Sequence, residues 1–180
     1  MAYTGLRWGE AIALRVEHVD IPRKRLSVTD NAVQIDQVHE VGSPKSGQPR
    51  SVPFPEFLAF ELRILVDGLA PDALLFSNPR GGYLKRSVSR TGWFAAAVDQ
   101  SGVPSITVHD LRHTAASLAV SAGVHVKALQ RMLGHESAAM TLDVYSDLFD
   151  DDLDAVGSAL DHARSSAGVG EMWAQGTQAT

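Results

Sequence analysis

Residues 107–114 read Thr-Val-His-Asp-Leu-Arg-His-Thr and bring two histidines, an aspartate and an arginine close together in the sequence. The stretch predicts a helix that begins near Asp110 and is closed by Gly123. His109 and Arg112 are three positions apart, so at the start of a helix their side chains point the same way. Arginine can bind a phosphate through two hydrogen bonds and histidine can move a proton, which suits a phosphate site. A solvated helix N-terminus without a ligand explains the pattern equally well.

Apolar residues recur at helical spacing in six further stretches outside this segment. They are residues 3–16, 56–69, 87–100, 126–133 and 137–145, and a last helix that carries Phe149, Leu153, Val156 and Leu160. Acidic residues 150–152 lie in the first turn of that last helix, where the helix dipole favours negative charge. Most of the chain is therefore predicted to be helical.

Residues 25–54 alternate apolar and polar side chains, which is typical of β-strands. Three short antiparallel strands are predicted, and they are marked by Leu26 and Val28, by Val33 and Ile35, and by residues 50–54. This arrangement puts Lys45 at the tip of a hairpin. The predicted fold class is α+β, a mostly helical domain with a small three-stranded antiparallel sheet near the N-terminus.

The formal net charge is −5, which argues against a nucleic-acid-binding protein when the chain is taken as a whole. The charge is unevenly distributed, because residues 143–180 hold eight of the 21 acidic residues and one of the 16 basic ones. The rest of the chain has a small excess of positive charge. Arginines that converge on one face of such a body can still bind phosphates. Charge therefore leaves both a DNA-binding protein and an ordinary acidic enzyme open.

The composition excludes several classes of site. The chain has no cysteine, so disulfide bonds and cysteine-ligated zinc or iron–sulfur sites are ruled out. No apolar run approaches the roughly 20 residues of a membrane span, and residues 1–10 lack the pattern of a signal peptide. A cytoplasmic location without membrane contact is expected. We expect one domain over residues 1–164 and a disordered tail over residues 165–180.

Two more polar groups flank this central stretch. In residues 4–10, Thr-Gly-Leu-Arg-Trp-Gly-Glu, Arg7 and Glu10 have the spacing at which a carboxylate can orient a guanidinium, although a surface ion pair would look the same. In the stretch Leu-Gly-His-Glu-Ser, His135 follows a glycine, and Tyr145 comes ten residues later. A histidine after glycine is often part of a helix cap, and a lone helical tyrosine is usually a packing residue.

A metal site is a competing interpretation, with His109 and His113 four apart on a helix and His135 as the third ligand. The helical zinc motif needs a glutamate where Asp110 stands, and Arg112 would repel a cation. Residues 42–47 begin like a phosphate-binding loop but lack the lysine and hydroxyl residue that should follow. There is no Gly-x-Ser-x-Gly motif for an acyl-transfer serine.

The polar groups occur in the order Arg7, Lys45, His109-x-x-Arg112, His135 and Tyr145. Their surroundings read Thr-Gly-Leu-Arg-Trp-Gly-Glu, His-Asp-Leu-Arg-His-Thr and Leu-Gly-His-Glu. In this order and context they resemble the catalytic domain of the tyrosine recombinases, the phage integrase family. The resemblance covers roughly residues 3–160, and all six catalytic positions carry residue types that the family prefers. One motif alone would be weak, whereas four in this order are specific.

The resemblance implies a DNA-breaking and rejoining enzyme for site-specific recombination, of the integrase or excisionase type found in prophages. Tyr145 would attack the scissile phosphate and form a 3′-phosphotyrosine, with His109 as the acid/base partner of its proton. Lys45 would protonate the leaving 5′-oxygen. Alternatives that keep the fold are a type IB topoisomerase and an inactive DNA-binding relative.

The resemblance also assigns the groups that stabilise charge. Arg7 and Arg112 would clamp the phosphoryl oxygens, His135 would add a hydrogen bond, and Glu10 would support Arg7. No metal and no cofactor is then needed, because the arginines do the metal's usual work. Further phosphate contacts are expected from Arg80, Lys85, Arg86 and Arg90.

Implied partners are double-stranded DNA, a homotetramer of the full-length protein on that DNA, and accessory DNA-bending proteins. Integrases of this family usually carry DNA-binding domains ahead of the catalytic one, and these are absent here, so a fragment of a longer protein is expected. The helix after Tyr145 would pack on a neighbouring subunit, with packing on its own domain as the open alternative. The sequence does not name the attachment sites, the direction of recombination or the host.

Overall fold

The computed structural model describes residues 1–36, 38–44, 47–87, 92–145 and 153–166. Lys45, Arg90 and Phe149, and residues 167–180 of the expected tail, lie outside the described residues. The chain divides into two compact units, Met1–Val144 and Tyr145–Thr180.

Helices dominate the described residues, as the sequence predicts, and the α+β fold class is confirmed. Their bounds are α1 Trp8–Ala13, α2 Glu56–Val66, α3 Trp93–Ser101, α4 Asp110–Ser121, α5 Val126–Leu133, α6 Ala138–Tyr145 and α7 Leu153–Ser166. Glycines in the left-handed region, Gly102 and Gly134, end α3 and α5, where a residue with a Cβ would be strained. Over the described ranges, no helix is long and apolar enough to cross a membrane.

The prediction of one helix over residues 3–16 is wrong in length. Gly5 has φ +61, a conformation that an α-helix cannot contain, so α1 begins only at Trp8. Leu14 is already extended at the other end, and residues Val16–His18 form a separate 3₁₀ turn. The helix predicted over residues 87–100 likewise begins at Trp93.

The strands are β1 Val19–Asp20, β2 Arg25–Val28, β3 Asn31–Ile35, β4 Val38–Gly42 and β5 Arg50–Pro53. A three-stranded antiparallel sheet exists, in the order β1-β2-β5, with Leu26 opposite Val52. The strand predicted around Val33 and Ile35 is β3, and it is not part of this sheet. It pairs with β4 in a separate two-stranded hairpin. The sequence analysis missed β1 because it has two residues, and β4 because Val38 and Val41 do not alternate.

Helix α1 lies at the centre of the first unit. One face packs with Leu6, Leu14, the buried strands β2 and β5 and the inner face of α2. Its opposite face, which carries Ile12 and Ala13, packs with Ala32 of β3 and with the partly buried Tyr83. Because α1 is covered on both sides, even its charged residue Glu10 is buried. Helix α5 packs on β5 and on α4.

Candidate active site

Two arginines from distant parts of the first unit meet at the end of α5. Arg112, on α4, is 3% exposed. Its guanidinium donates to the carbonyl oxygen of Gly5 through Nη1 and to that of Leu133 through Nη2, the latter at 2.7 Å. Arg7 approaches the same Leu133 oxygen with its Nη1, at 3.5 Å, a weak hydrogen bond. The two guanidinium groups are therefore neighbours across one carbonyl.

Gly5 is required for this approach. Its φ of +61 turns the chain in the left-handed region, where glycine has no steric cost. A Cβ at this position would lie 2.6 Å from Cδ2 of Leu133, which is too close for any real contact. A glycine here therefore lets the N-terminal segment pack directly on the end of α5 and present its carbonyl oxygen to Arg112.

The Glu10 carboxylate is a buried anion held between Arg7 and Arg50. It accepts hydrogen bonds from the backbone N–H of Arg7 at 2.8 Å and from its Nη1 at 3.1 Å, so the pair suspected from the spacing exists. It also accepts two from Arg50, at 2.8 and 2.7 Å. Burial raises the pKa of Glu10, but the hydrogen bonds and charges of Arg50 and Arg7 outweigh it and leave the pKa below its ordinary value. Glu10 is thus ionised at neutral pH.

Arg50 is the site residue that the sequence analysis missed. It is the first residue of β5, and its Nε also donates to the carbonyl oxygen of Met132 at 3.0 Å. In the sequence it is one more arginine after a turn, and its partner Glu10 lies forty residues earlier. A usable signal was the Ala-Ile-Ala run that follows Glu10, because a carboxylate on a buried helix needs strong cationic partners.

His135 follows directly on Gly134, which ends α5 with φ +65. Its backbone is held by Gln130, whose carbonyl accepts from the His135 N–H at 3.2 Å and whose Nε2 donates to the His135 carbonyl at 3.0 Å. Its Nδ1 lies 2.9 Å from Oγ1 of Thr141 on α6. Burial, followed by the charges of Arg112 and Arg7, lowers the pKa of His135 to about 4, so the ring is neutral at pH 7.

His109 lies at the start of α4, three residues before Arg112, and its ring contacts that of His113 edge to face, with centroids 4.9 Å apart. Burial, together with the charges of His113 and Arg112, lowers the pKa of His109. A neutral imidazole can accept a proton, as a general base must. The Asp110 carboxylate instead accepts hydrogen bonds from the N–H and the hydroxyl of Thr107, in the turn that leads into α4.

The expected DNA contacts lie on the surface where the structure describes them. Arg80, Lys85 and Arg86 are exposed, and Arg86 is near enough to His109 for its charge to contribute to lowering that pKa. Arg80 belongs to a tight turn in which the Asn78 carboxamide oxygen accepts from its backbone N–H at 2.8 Å. Arg90 lies outside the described residues.

The nucleophile candidate and the lysine are the two remaining residues of the catalytic set expected from the sequence. Tyr145 is the last residue of α6 and the first of the second compact unit, and its side chain is 5% exposed. Lys45 lies between β4 and β5 in the sequence, outside the described residues. The first unit thus brings together Arg7, Glu10, Arg112 and His135, with Arg50 added.

A cleft of about 510 Å³ adjoins His135 and Arg50, with Ser51 and Arg131 also on its wall. Of the clustered residues, Arg50 and His135 line this cleft. The competing interpretation was a metal site formed by His109, His113 and His135. In the part of the chain that the structure describes, no group of three or more His, Asp or Glu residues could hold a metal ion.

Residues 1–151 match the model of the phage integrase family. The chain belongs to the phage integrase family. This confirms the resemblance drawn from the four motifs. The integrase of Mycobacterium phage D29 is 32% identical over 151 residues, which cover 79% of this chain and 40% of that protein. The tyrosine recombinase XerC of Bifidobacterium longum strain DJO10A is 30% identical over 152 residues, 77% of this chain and 39% of that protein.

Solved structures of integrases and recombinases share the fold. A structure of the Tn1549 transposon integrase in complex with a circular intermediate DNA superposes with a TM-score of 0.67 at 25% identity, over 79% of this chain and 50% of that one. The crystal structure of XerA recombinase gives 0.64 at 27% identity, over 92% and 54%. This integrase-family chain spans about two fifths of the length of the curated relatives it matches.

Proposed function

We propose that the protein performs site-specific DNA recombination, breaking and rejoining strands through a 3′-phosphotyrosine on Tyr145. The observation that carries the proposal is the meeting of Arg7 and Arg112 at the Leu133 carbonyl oxygen, with His135 two residues farther along the chain. Two permanent cations and a neutral imidazole are donors suited to the non-bridging oxygens of a phosphodiester. Membership of the phage integrase family supports the same reaction.

The reaction exchanges one phosphodiester for another. The Tyr145 oxygen bonds to the phosphorus while the bond from phosphorus to the 5′-oxygen breaks, and the 5′-hydroxyl leaves with a proton. A phenol has a reference pKa of about 10, so it needs a base at neutral pH, and His109 with its lowered pKa takes that proton. Lys45 supplies the proton to the leaving oxygen. Because the covalent link conserves the bond energy, religation needs no ATP.

Charge grows on the non-bridging oxygens in the transition state, and Arg7, Arg112 and His135 stabilise it. Glu10 holds the Arg7 backbone and guanidinium in place and is held in turn by Arg50. These groups are held by hydrogen bonds before substrate arrives, so little reorganisation is required when the phosphate binds. No metal ion and no cofactor enters this scheme.

We also propose that the substrate is double-stranded DNA, bound through phosphate contacts from Arg80, Lys85, Arg86 and Arg90. The active assembly would be a homotetramer of the full-length protein, with accessory DNA-bending proteins where sites require them. Structures of the Tn1549 transposon integrase in complex with DNA support the first of these. In the full-length protein, residues 1–164 would be the catalytic domain behind N-terminal DNA-binding domains. We also propose a cytoplasmic location, which is consistent with the phage and bacterial relatives.

The decisive experiment traps the covalent intermediate. The protein is incubated with a pool of nicked duplexes of random sequence, in which the short cleaved strand diffuses away, and protein–DNA adducts that survive denaturant are recovered and sequenced. The peptide that carries the nucleotide is mapped by mass spectrometry and should contain Tyr145. Tyr145→Phe should form no adduct, while the matched control Tyr83→Phe should form it normally. An adduct on another residue would refute the assignment of the nucleophile.

Three outcomes separate recombination from the alternative activities. Strand exchange between two recovered sites supports the proposal, whereas plasmid relaxation with no exchange indicates a type IB topoisomerase. DNA binding without any adduct indicates an inactive relative. Activity should persist in excess chelator, because the arginines provide the positive charge.

A further inference from the structure

Thr141 is a buried polar residue that the proposed reaction does not use. It lies in the middle of α6, and its side chain is 0% exposed. Its Oγ1 is 2.9 Å from Nδ1 of His135, six residues earlier, across the turn that separates α5 from α6. This hydrogen bond is the link between the imidazole and the following helix.

The direction of the bond follows from the needs of a buried hydroxyl. A hydroxyl buried away from water must donate its hydrogen to some acceptor, or its burial is costly. Helical hydroxyls usually donate to the carbonyl four residues back, as Thr114 does to Asp110 at 2.9 Å and Ser117 to His113 at 3.1 Å. For Thr141, across the ranges that the structure describes, the one hydrogen bond found is with His135. The Thr141 hydrogen therefore goes to Nδ1.

A nitrogen that accepts a hydrogen bond carries no proton. If Nδ1 accepts from Thr141, the single proton of a neutral imidazole is on Nε2. The ring is neutral because burial and the neighbouring arginines lower the pKa of His135. The backbone bonds to Gln130 at both the N–H and the carbonyl of His135 hold the residue itself in place.

We propose that Thr141 is a positioning residue that holds His135 in the tautomer protonated on Nε2, which makes this N–H the ring's donor toward a phosphoryl oxygen. The donor role rests on the proposed function, whereas the tautomer does not. In the opposite tautomer Nε2 would present a lone pair, and it would repel an oxygen of the phosphate. The Thr141 hydroxyl thus decides whether His135 helps or opposes phosphate binding.

The tautomer is measured directly by nitrogen NMR on the chain with ¹⁵N-labelled histidine, near pH 7 and without DNA. The His135 signals are assigned by their loss in His135→Gln. The expected spectrum shows a protonated Nε2 and an unprotonated Nδ1. Thr141→Val, which keeps the shape and removes the hydroxyl, should move a measurable fraction of the ring to the Nδ1-protonated form. Thr141→Ser should restore the original spectrum, and the matched control Thr114→Val should leave it unchanged.

Two results would overturn the tautomer assignment: a protonated Nδ1 in the unmodified chain, or a Thr141→Val spectrum identical to it. Folding of each variant is checked by the spectrum of its backbone amides. If the valine variant does not fold, Thr141→Ala also removes the hydroxyl and should move the ring toward the Nδ1-protonated form in the same way.

The donor role is tested by single-turnover cleavage on a trapped duplex. Thr141→Val should slow cleavage about tenfold at saturating DNA, the effect of losing roughly one oriented hydrogen bond, with DNA binding unchanged. Unchanged cleavage by a variant whose tautomer has moved would refute the donor role. If the chain forms no adduct on any DNA while the spectra are as expected, the proposed function fails and the Thr141–His135 assignment stands.

Discussion

Arg50 and Glu10 form a two-bond ion pair in the interior, Nη1 to Oε1 at 2.8 Å and Nη2 to Oε2 at 2.7 Å. Their side chains are 9% and 0% exposed. The pair joins β5 to α1, and the second carboxylate oxygen also accepts the backbone N–H of Arg7. The position of Arg7 therefore depends on a strand that follows it by more than forty residues.

Arg50→Ala should destabilise the first unit by about 3–5 kcal/mol, because it leaves the Glu10 carboxylate buried with half of its hydrogen bonds removed. The free energy of unfolding is measured by urea titration. The matched control is Lys24→Ala, which breaks an exposed ion pair with Glu56 and should cost about 1 kcal/mol or less. Similar losses for the two variants would mean that the buried pair has no special weight.

The stability of the chain should depend on the pH through His135. Its pKa is about 4 in the folded chain and near 6.5 when unfolded, so between those values the unfolded state binds more protons. Stability should therefore fall as the pH falls from about 6.5 toward 4. His135→Gln removes this proton uptake, and urea titrations at several pH values should show a shallower slope. The NMR titration of His135 supplies the check, since a ring that protonates near pH 6.5 would contradict the prediction.

Gly134→Ala should cost more stability than Gly123→Ala. Both glycines have positive φ, +65 and +72, so each substitution pays a left-handed strain of about 1–2 kcal/mol. At Gly134 the added Cβ would also lie 3.0 Å from the Arg50 guanidinium, whereas at Gly123 nothing lies within 4 Å. The excess loss, measured by thermal unfolding, reports the contact with Arg50. It should disappear when both alanine variants are made in an Arg50→Ala background.

Lys45→Ala should slow cleavage of ordinary DNA strongly, because an alkoxide must be protonated as it leaves. A substrate with sulfur in place of the bridging 5′-oxygen should restore the rate, since a thiol has a reference pKa near 8.5 and a thiolate departs nearly unaided. The same substrate should not rescue Arg112→Ala, whose defect lies in charge on the non-bridging oxygens. A sulfur substrate that fails to rescue Lys45→Ala would assign the leaving-group proton to a histidine.

The sequence by itself determined the local elements and the family. The helix predicted over residues 126–133 is α5, and those predicted near Asp110 and over residues 137–145 are α4 and α6, because apolar spacing and terminal glycines act within a few residues. The ordered motifs around Arg7, His109 and His135 were sufficient to identify the phage integrase family, now confirmed by the match over residues 1–151.

Tertiary structure alone decided the contacts between segments distant in the sequence. Strand β3 pairs with β4, and the three-stranded sheet consists of β1, β2 and β5. The pairing of strands depends on which of their faces become buried around α1. The contact of Arg50 with Glu10, and those of Arg112 with the carbonyls of Gly5 and Leu133, depend on the packing of β5, α4 and α5. Local patterns cannot specify such pairs, since each depends on burying a charge or a carbonyl beside a partner that the chain supplies from far away.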